Sequence, residues 1–432
     1  MLHTLQGSRL APRKPPFSVV SSVAAVVVLA GGPAVAGEPL GPVLGHVDHE
    51  TARVWLRAGE PGEVRLIVRD EAGGSVFEGS QEATVDRDNC LSWAIDAVEP
   101  NSAYRYTFEA AKEAAVPAGE WRFHTPPPPE QPGRVVFAIG SCASEKFPGV
   151  WQRMAAVGAE VVVLAGDTPY IDSSAVAKNR ERHRAFLAQP GLAELLATRP
   201  LVGTWDDHDF GANDSDGTRV DREAIRGVFT EYRALASFGE EGEGIYTRLR
   251  RGPAELFLID ARYFSQTGPS PVDPAKKTLL GPRQWDWLKR SLAESTAPFK
   301  ILVTGMVWHD KPNREKDDWQ TYAHERDALF AWIGQQKISG VVLVGGDVHV
   351  SLHLRHPTKQ TAGYDLFEYV VSPLHDSLIP SLIPKRNPGL LWSAAEPNVF
   401  LRMEADSTGE QPTLTSRWIR MDGTTLHEHV LR

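Results

Sequence analysis

The residues of this sequence that are best suited to chemistry come directly after short apolar runs. Asp167 and Asp347 each follow a glycine, Tyr170 and His349 stand close behind them, and Cys142 follows a Gly-Ser pair. Carboxylates, an imidazole and a phenol are ligands for hard or borderline cations. A glycine lets the backbone turn sharply, so that the next carboxylate points toward a shared ion. The pattern predicts a metal site, with Asp167 as the candidate bridge between two ions.

A second cluster contains three aspartates around His208, in the sequence Trp-Asp-Asp-His-Asp, with Asp207 immediately before the histidine. Further along, Arg262 follows Asp260 by two positions. Two metal ions can hold a phosphate ester and generate hydroxide near neutral pH. The guanidinium of Arg262 would bind phosphate oxygens through its fork, or would form a structural salt bridge with Asp260. The sequence alone leaves both roles open.

Each of these residues follows an apolar run of three to six residues that predicts a buried strand. Longer segments with helical periodicity, 174–198, 281–295 and 323–337, lie between several of the runs. Strands that alternate with helices indicate an α/β layered domain, and in open α/β sheets ligands bind beyond the carboxyl ends of the strands. The predicted strands are 135–139, 161–165, 201–204, 256–259, 301–303 and 341–344.

The part before these runs has a different pattern. Residues 38–126 contain short alternating strands and predict a small β-sandwich of the fibronectin or immunoglobulin type. A stretch of four prolines, 126–129, predicts a stiff linker, and 134–432 would form the α/β domain. The last segment, 398–432, alternates as strands that would close a sheet edge. Cys90 lies in a predicted sandwich strand and reads as a packed residue.

Residues 1–36 have a basic start, a short apolar run and an Ala-Val-Ala ending, which together predict a cleaved secretory signal peptide. The 432 residues carry a net charge of −9, and removing the three basic residues of this segment brings the charge to −12. An acidic chain argues against a nucleic-acid partner. Two cysteines exclude a disulfide-built scaffold. The mature chain, with no second long apolar segment, is expected to be soluble and secreted, periplasmic or extracellular.

Taken together, these motifs resemble those of the alkaline phosphatase D (PhoD-like) family of calcineurin-like metallophosphoesterases. The resemblance covers residues 38 to 432 and implies a small β-sandwich followed by a two-sheet metallophosphoesterase α/β sandwich. The motifs that carry it are Gly-Ser-Cys142, Gly-Asp167-x-x-Tyr170, Trp-Asp206-Asp207-His208-Asp209 with Asn213, Asp260-x-Arg262, Gly-Asp347-x-His349 and Glu368-x-x-x-Ser372-Pro373-Leu374.

The resemblance implies a first metal, a ferric ion, held by a thiolate, a phenolate, an imidazole and a carboxylate. Cys142, Tyr170 and His349 would be its ligands, and Asp167 would bridge to the second metal. The donor set agrees with a ferric ion on chemical grounds, although zinc also accepts cysteine and histidine. Zinc or manganese therefore remain alternatives.

The second metal, expected to be calcium, would be bound by Asp207 and Asp347. His208 would stabilise or protonate the leaving alkoxide, and Asn213 would contact the phosphate or the second metal. His309 occupies a position where the wider superfamily can place a ligand. It would be a ligand, a substrate contact or a surface residue.

These observations predict a secreted metal-dependent phosphoesterase that hydrolyses small-molecule phosphate monoesters, diesters or both by attack of metal-bound hydroxide. One alternative is a phosphodiesterase or phospholipase D-type enzyme that acts on teichoic acid or a phospholipid. Another is a cell-surface binding protein in which the metal is not catalytic. The absence of adjacent arginines near the start favours export by a Sec-type route. The oligomeric state is left open by the sequence.

Overall fold

Alternation of apolar and polar residues produces two small antiparallel sheets at the start of the described chain. The computed structural model describes residues 37–110, 114–146, 149–313 and 315–432, so the predicted signal segment 1–36 lies outside the described residues. One sheet has the order β1-β2-β5 and the other β4-β3-β6-β7. Their strands are β1 Leu40–Val47, β2 Ala52–Arg57, β3 Gly62–Asp70, β4 Ser75–Ala83, β5 Cys90–Ile95, β6 Ala103–Ala110 and β7 Trp121–His124.

The two small sheets share one apolar core. Buried side chains from both, among them Val54 and Trp93 of the first sheet and Leu66 and Tyr106 of the second, pack in a single cluster. This is the arrangement of a β-sandwich. Cys90 is 3% exposed at the start of β5, packed among apolar residues as predicted.

The remaining elements build two larger sheets with covering helices. In chain order, these strands and helices are β8 Arg134–Gly140, α1 Gly149–Ala156, β9 Val161–Ala165, α2 Val176–Leu187, α3 Pro190–Leu196, β10 Leu201–Thr204, α4 Asp207–Phe210, α5 Arg222–Glu231, β11 Thr247–Arg251, β12 Ala254–Leu258, α6 Gly281–Glu294, β13 Phe299–Val303, α7 Ala323–Gln335, β14 Val341–Gly345, β15 Ser351–His356, β16 Leu366–Val370, β17 Leu390–Ala394, β18 Phe400–Asp406, β19 Thr413–Ile419 and β20 Thr425–Leu431. None of the described helices has both the length and the apolar character needed to cross a membrane.

The first large sheet has the order β10-β9-β8-β18-β19-β20, and the second has the order β11-β12-β13-β14-β16-β15-β17. Strands β8, β9 and β10 run parallel to one another, as do β12, β13, β14 and β16. Their carboxyl ends therefore deliver the following loops to one rim in each sheet. The arrangement confirms the predicted α/β fold with an N-terminal β unit.

Strand β9 is apolar on both of its faces because other elements cover both. Val161, Val163 and Ala165 belong to the cluster shared with the second sheet, whereas Val162 and Leu164 pack against the side that holds α1 and α3. A strand covered on both faces reads as a continuous apolar run, which explains the sequence pattern.

Two sequence expectations need correction. The helical segment 174–198 is two helices, because Pro190 begins α3 and is favoured in the first turn of a helix. The C-terminal segment does more than close an edge, since β18 pairs antiparallel with β8 in the interior of its sheet and β20 forms the edge.

Candidate metal centre

The predicted metal ligands leave their strands in an unusual backbone conformation. Cys142, Asp167, Asp347 and His349 have φ angles between 51° and 64°, a region that residues other than glycine rarely occupy. Gly166 has a φ of +85°, and a Cβ atom there would lie 2.5 Å from a neighbouring side chain. The sharp turn expected before Asp167 is therefore present. Non-glycine residues in this region concentrate at functional sites, which supports these loops as a site.

A first group of donor atoms combines Cys142, Asp167 and His349. One ligand atom from each residue lies within 4.8 Å of the others, and Sγ of Cys142 is 3.5 Å from Oδ2 of Asp167. The hydroxyl of Tyr170 joins them, 2.8 Å from Nε2 of His349. The structure thus brings together the four residues predicted for the first metal.

The loop after β16 supports Cys142 from the other side. Oγ of Ser372 donates to Sγ of Cys142 at 3.1 Å, and the backbone N–H of Leu374 donates to the carbonyl oxygen of Cys142, also at 3.1 Å. The motif that contains both residues therefore shapes the surroundings of the thiol. Cys142 and Cys90 are both free, so no disulfide competes for this sulfur.

A second group of donor atoms combines Asp167, Asp207 and His208, again within 4.8 Å of one another. Asp167 belongs to both groups. Its Oδ2 lies toward Cys142, while its Oδ1 accepts the backbone N–H of His208 at 3.3 Å. The two oxygens of this carboxylate therefore have different neighbours, one in the first group and one in the second.

The three aspartates around His208 have three different roles. Asp206 precedes α4 and pairs with Arg262. Asp207 is 2% exposed and contributes to the second group. Asp209 is a backbone clamp, since its carboxylate accepts the N–H of Asp206 and, at 3.1 Å, that of Thr168. The clamp holds the loop after β9 against the start of α4.

Asp347 lies outside the groups of donor atoms found among the described residues. Its Oδ2 accepts a hydrogen bond from Nζ of Lys311 at 2.9 Å. Burial raises the pKa of Asp347 to about 7, and Lys311 opposes that rise. A third group joins Asp207 to two residues that the sequence did not suggest, Asp214 and Asp317.

Negative charge exceeds positive charge in this region. The buried cations are Arg233, Arg262 and Lys311. Burial raises the pKa of Asp167 well above its ordinary value, and the neighbouring carboxylates raise it further. An uncompensated buried charge is costly, so this surplus favours bound cations. The buried carboxylates of this region include Asp167, Asp206, Asp207, Asp209 and Asp317.

Arg262 is 1% exposed, and its guanidinium is engaged by two carboxylates. Its Nε donates to Oδ1 of Asp206 at 2.6 Å, while Nη1 and Nη2 donate to the two oxygens of Asp317 at 2.5 Å and 3.0 Å. The expected alternative pairing with Asp260 is wrong. Asp260 accepts the backbone N–H groups of Arg262 and Tyr263 instead, and so turns the chain at this point. Contact of Arg262 with a phosphate stays a prediction.

His208 has a fixed orientation. Its Nδ1 lies 2.5 Å from Oδ1 of Asp172, so the carboxylate accepts the Nδ1 proton and Nε2 is directed away from this contact. Burial lowers the pKa of His208, but Asp207 and Asp172 outweigh that effect and the net shift is upward. The imidazole side chain is 23% exposed, which leaves it open to a ligand.

Two further predicted positions differ in their surroundings. Asn213 is exposed on the loop between α4 and α5, and it is the adjacent Asp214 that joins a group of donor atoms. His309 is 1% exposed, so the reading as a surface residue is wrong. Its Nδ1 lies 3.0 Å from Oε1 of Glu368, and its Nε2 has no partner among the described residues.

Sequence reasoning missed five residues of the centre. Lys311 is charged and only two positions after His309, which is the one signal that could have drawn attention to it. The others sit in loops whose direction depends on packing between elements far apart in the chain. The five residues are Asp172, Asp214, Lys311, Asp317 and His375.

A family model described as PhoD-like phosphatase matches residues 137–387 of the chain, the segment that holds the whole centre. The chain belongs to the PhoD-like phosphatase family. The predicted family is therefore confirmed. A second model, described as a domain of unknown function (DUF7800), matches residues 39–128.

A comparison with a single curated protein agrees with this membership. Alkaline phosphatase D of Bacillus subtilis (strain 168) is 23% identical over 327 residues, which is 64% of this chain and 56% of the relative. The match thus spans little more than half the length of that curated relative.

Two solved structures share the fold. A structure described as PhoD superposes with a TM-score of 0.72 at 19% identity, over 92% of this chain and 94% of the other. The purple acid phosphatase PPD1 from yellow lupin (Lupinus luteus) seeds superposes with a TM-score of 0.66 at 12% identity, over 91% and 74% of the two chains. These likenesses confirm the predicted fold.

Proposed function

We propose that this chain is a metal-dependent phosphoesterase that hydrolyses small-molecule phosphate monoesters, diesters or both. The observation that carries the proposal is the carboxylate of Asp167. One of its oxygens faces the thiol of Cys142 and the other faces the start of α4 at His208. A shared carboxylate between two groups of donor atoms suits a pair of ions that binds one phosphate.

The proposed ions are ferric iron at the first group and calcium at the second, with zinc or manganese as alternatives. When bound, the two cations would neutralise charge on the phosphoryl oxygens and make a water molecule more acidic. The buried thiol, which accepts a hydrogen bond from Ser372, suits a metal that binds sulfur. The residues proposed to hold the ions are Cys142, Asp167, Tyr170 and His349 for iron, and Asp167, Asp207 and Asp347 for calcium.

His208 is proposed to protonate the leaving alkoxide. The carboxylate of Asp172 holds the Nδ1 proton, so a second proton on the imidazole sits at Nε2, the nitrogen available to a substrate. Asn213 is proposed to contact the phosphate or the second metal. Arg262 is proposed to donate hydrogen bonds to the phosphate oxygens.

We also propose that residues 1–36 direct export and are removed. The basic start, the short apolar run and the Ala-Val-Ala ending support this, and the mature protein would then be periplasmic or extracellular. Mass spectrometry of the exported protein should find its first residue near Gly37. A chain that retains residues 1–36 after export would contradict the proposal.

The decisive experiment compares Asp167→Asn with Asp286→Asn, an exposed aspartate on α6. Hydrolysis of an aryl phosphate and the metal content of the purified protein are measured for both. We expect Asp167→Asn to lose activity and metal while its circular dichroism stays unchanged, and Asp286→Asn to match the wild type. Full activity in Asp167→Asn would refute the proposed mechanism. The ratio of diester to monoester turnover in the wild type then defines the substrate preference.

A further inference from the structure

His375 lies beside the proposed iron ligands, although no motif singled it out. It is on the loop after β16, directly behind Leu374, and it is 5% exposed. Its own carbonyl oxygen accepts the backbone N–H of Asn398 at 3.0 Å, which holds the loop in place. The imidazole reaches the site, because its Nε2 is 3.1 Å from the hydroxyl oxygen of Tyr170.

The backbone around His375 determines which ring nitrogen carries the proton. The N–H of Ser377 points at Nδ1 of His375, at 3.1 Å. A backbone N–H can only donate, so Nδ1 must be the acceptor in this contact. The proton of the neutral imidazole is then on Nε2, and this nitrogen can only donate. The contact with Tyr170 is therefore a hydrogen bond from His375 to the tyrosine oxygen.

The oxygen of Tyr170 has a second imidazole neighbour, His349, whose Nε2 is 2.8 Å away. In the neutral side chain, Tyr170 donates its hydroxyl proton to His349 and accepts from His375. A tyrosine that binds a metal has lost that proton. The N–H of His375 then donates to an anionic oxygen, and such a charge-assisted hydrogen bond is stronger than one to a neutral hydroxyl.

We propose that His375 is a positioning residue that donates from Nε2 to the oxygen of Tyr170 and thereby sets how strongly this oxygen donates electrons to the first metal. The inference rests on the proposed function, since it takes Tyr170 as a ligand of ferric iron. Partners of metal ligands of this kind tune the metal, and their loss lowers metal affinity by roughly 10-fold to 100-fold. Loss of this hydrogen bond makes the phenolate harder to form, because nothing then stabilises the anionic oxygen in the metal-free protein, and this weakens binding of the metal. Once bound, a phenolate without the hydrogen bond is a stronger electron donor, which favours the ferric state over the ferrous state.

The test compares His375→Phe, which keeps the ring and removes the donor, with His375→Gln, whose amide N–H can replace the donor at Nε2. His124→Phe on the exposed end of β7 serves as the matched control. Three quantities are measured on the iron-loaded full chain: the phenolate-to-iron absorption band, the midpoint potential and the affinity for ferric ion. We expect His375→Phe to shift the band, lower the potential and weaken binding by about 10-fold or more. His375→Gln should return all three toward the wild type, and His124→Phe should not differ from it.

A His375→Phe protein that binds iron with the potential and affinity of the wild type would overturn the inference. So would nitrogen-15 spectra of the metal-free chain that place the proton of His375 on Nδ1. A wild type that binds ferric ion without a phenolate band would also overturn it, because Tyr170 would then not be a ligand. The proposed phosphoesterase function would still be tested separately, by measuring whether Asp167→Asn loses aryl phosphate hydrolysis.

Discussion

Replacement of Arg262 by methionine tests whether this residue holds the site together or acts on the substrate. The guanidinium donates to Asp206 at 2.6 Å and to both oxygens of Asp317 at 2.5 Å and 3.0 Å, in a region that is almost fully buried. Removing one partner of a buried, hydrogen-bonded ion pair costs about 3–5 kcal/mol. Arg262 has two carboxylate partners, but Nζ of Lys311, 3.5 Å from Asp317, can still neutralise one of them. We therefore expect Arg262→Met to lower the free energy of unfolding by about 3–5 kcal/mol, the cost of one broken pair.

Urea unfolding of the metal-free protein measures this loss without a contribution from bound ions. The control is Arg417→Met, which breaks a pair with Glu428 on the surface and should cost less than about 1 kcal/mol. The variant Arg262→Lys keeps the charge and loses the fork, and is expected to recover part of the stability. A stability of Arg262→Met within about 1 kcal/mol of the wild type, with KM raised ten-fold or more, would refute the structural role. Arg262 would then be a residue that binds the phosphate.

Two further predictions concern regions away from the centre. In Gly45→Ala, the new Cβ atom would lie 1.8 Å from the carbonyl oxygen of Ala234, so we expect the free energy of unfolding in urea to fall by about 1–3 kcal/mol or more. The control is Gly227→Ala in α5, where a Cβ atom meets nothing within 4 Å and stability should not fall. Equal stability of the two variants would contradict this reasoning. Burial and the two histidines of β20 lower the pKa of His353 to about 3, below the value near 6.5 of the unfolded chain. The folded state therefore binds fewer protons, and stability is lost as the pH falls from about 6.5 toward 3. We expect His353→Phe to lose less stability than the wild type between pH 7 and pH 4.5, and an equal loss would contradict the assignment.

Much of the fold could be predicted because local pattern determines it. Strands covered on both faces, such as β9 and β14, appear as continuous apolar runs, and their bounds in the structure agree with those runs to within one residue. The amphipathic segment 281–295 became α6 for the same reason. The antiparallel pairing of β18 with β8 could not be predicted, since pairing partners far apart in the chain leave no local signal.

The candidate site divides in the same way. Residues at strand ends, such as Cys142 and Asp167, were predicted because the end of a strand fixes where the next side chain lies. The partners of Arg262 were not, because Asp317 reaches it from a loop after β13 and only packing determines that approach. His375 was missed for a related reason, as its contact with Tyr170 depends on a turn that Ser377 stabilises through a backbone N–H.

The position of β18 has a consequence for how the protein is made. β8 leads directly into Cys142, and its free side is filled by β18, a strand that follows every proposed metal ligand along the chain. Until β18 has been synthesised, β8 exposes unpaired N–H and C=O groups that can pair with another chain. The loop that carries Cys142 therefore follows an incomplete sheet until β18 has paired with β8. Metal loading is thus expected to be one of the last steps of maturation, after β18 has completed the sheet beside Cys142.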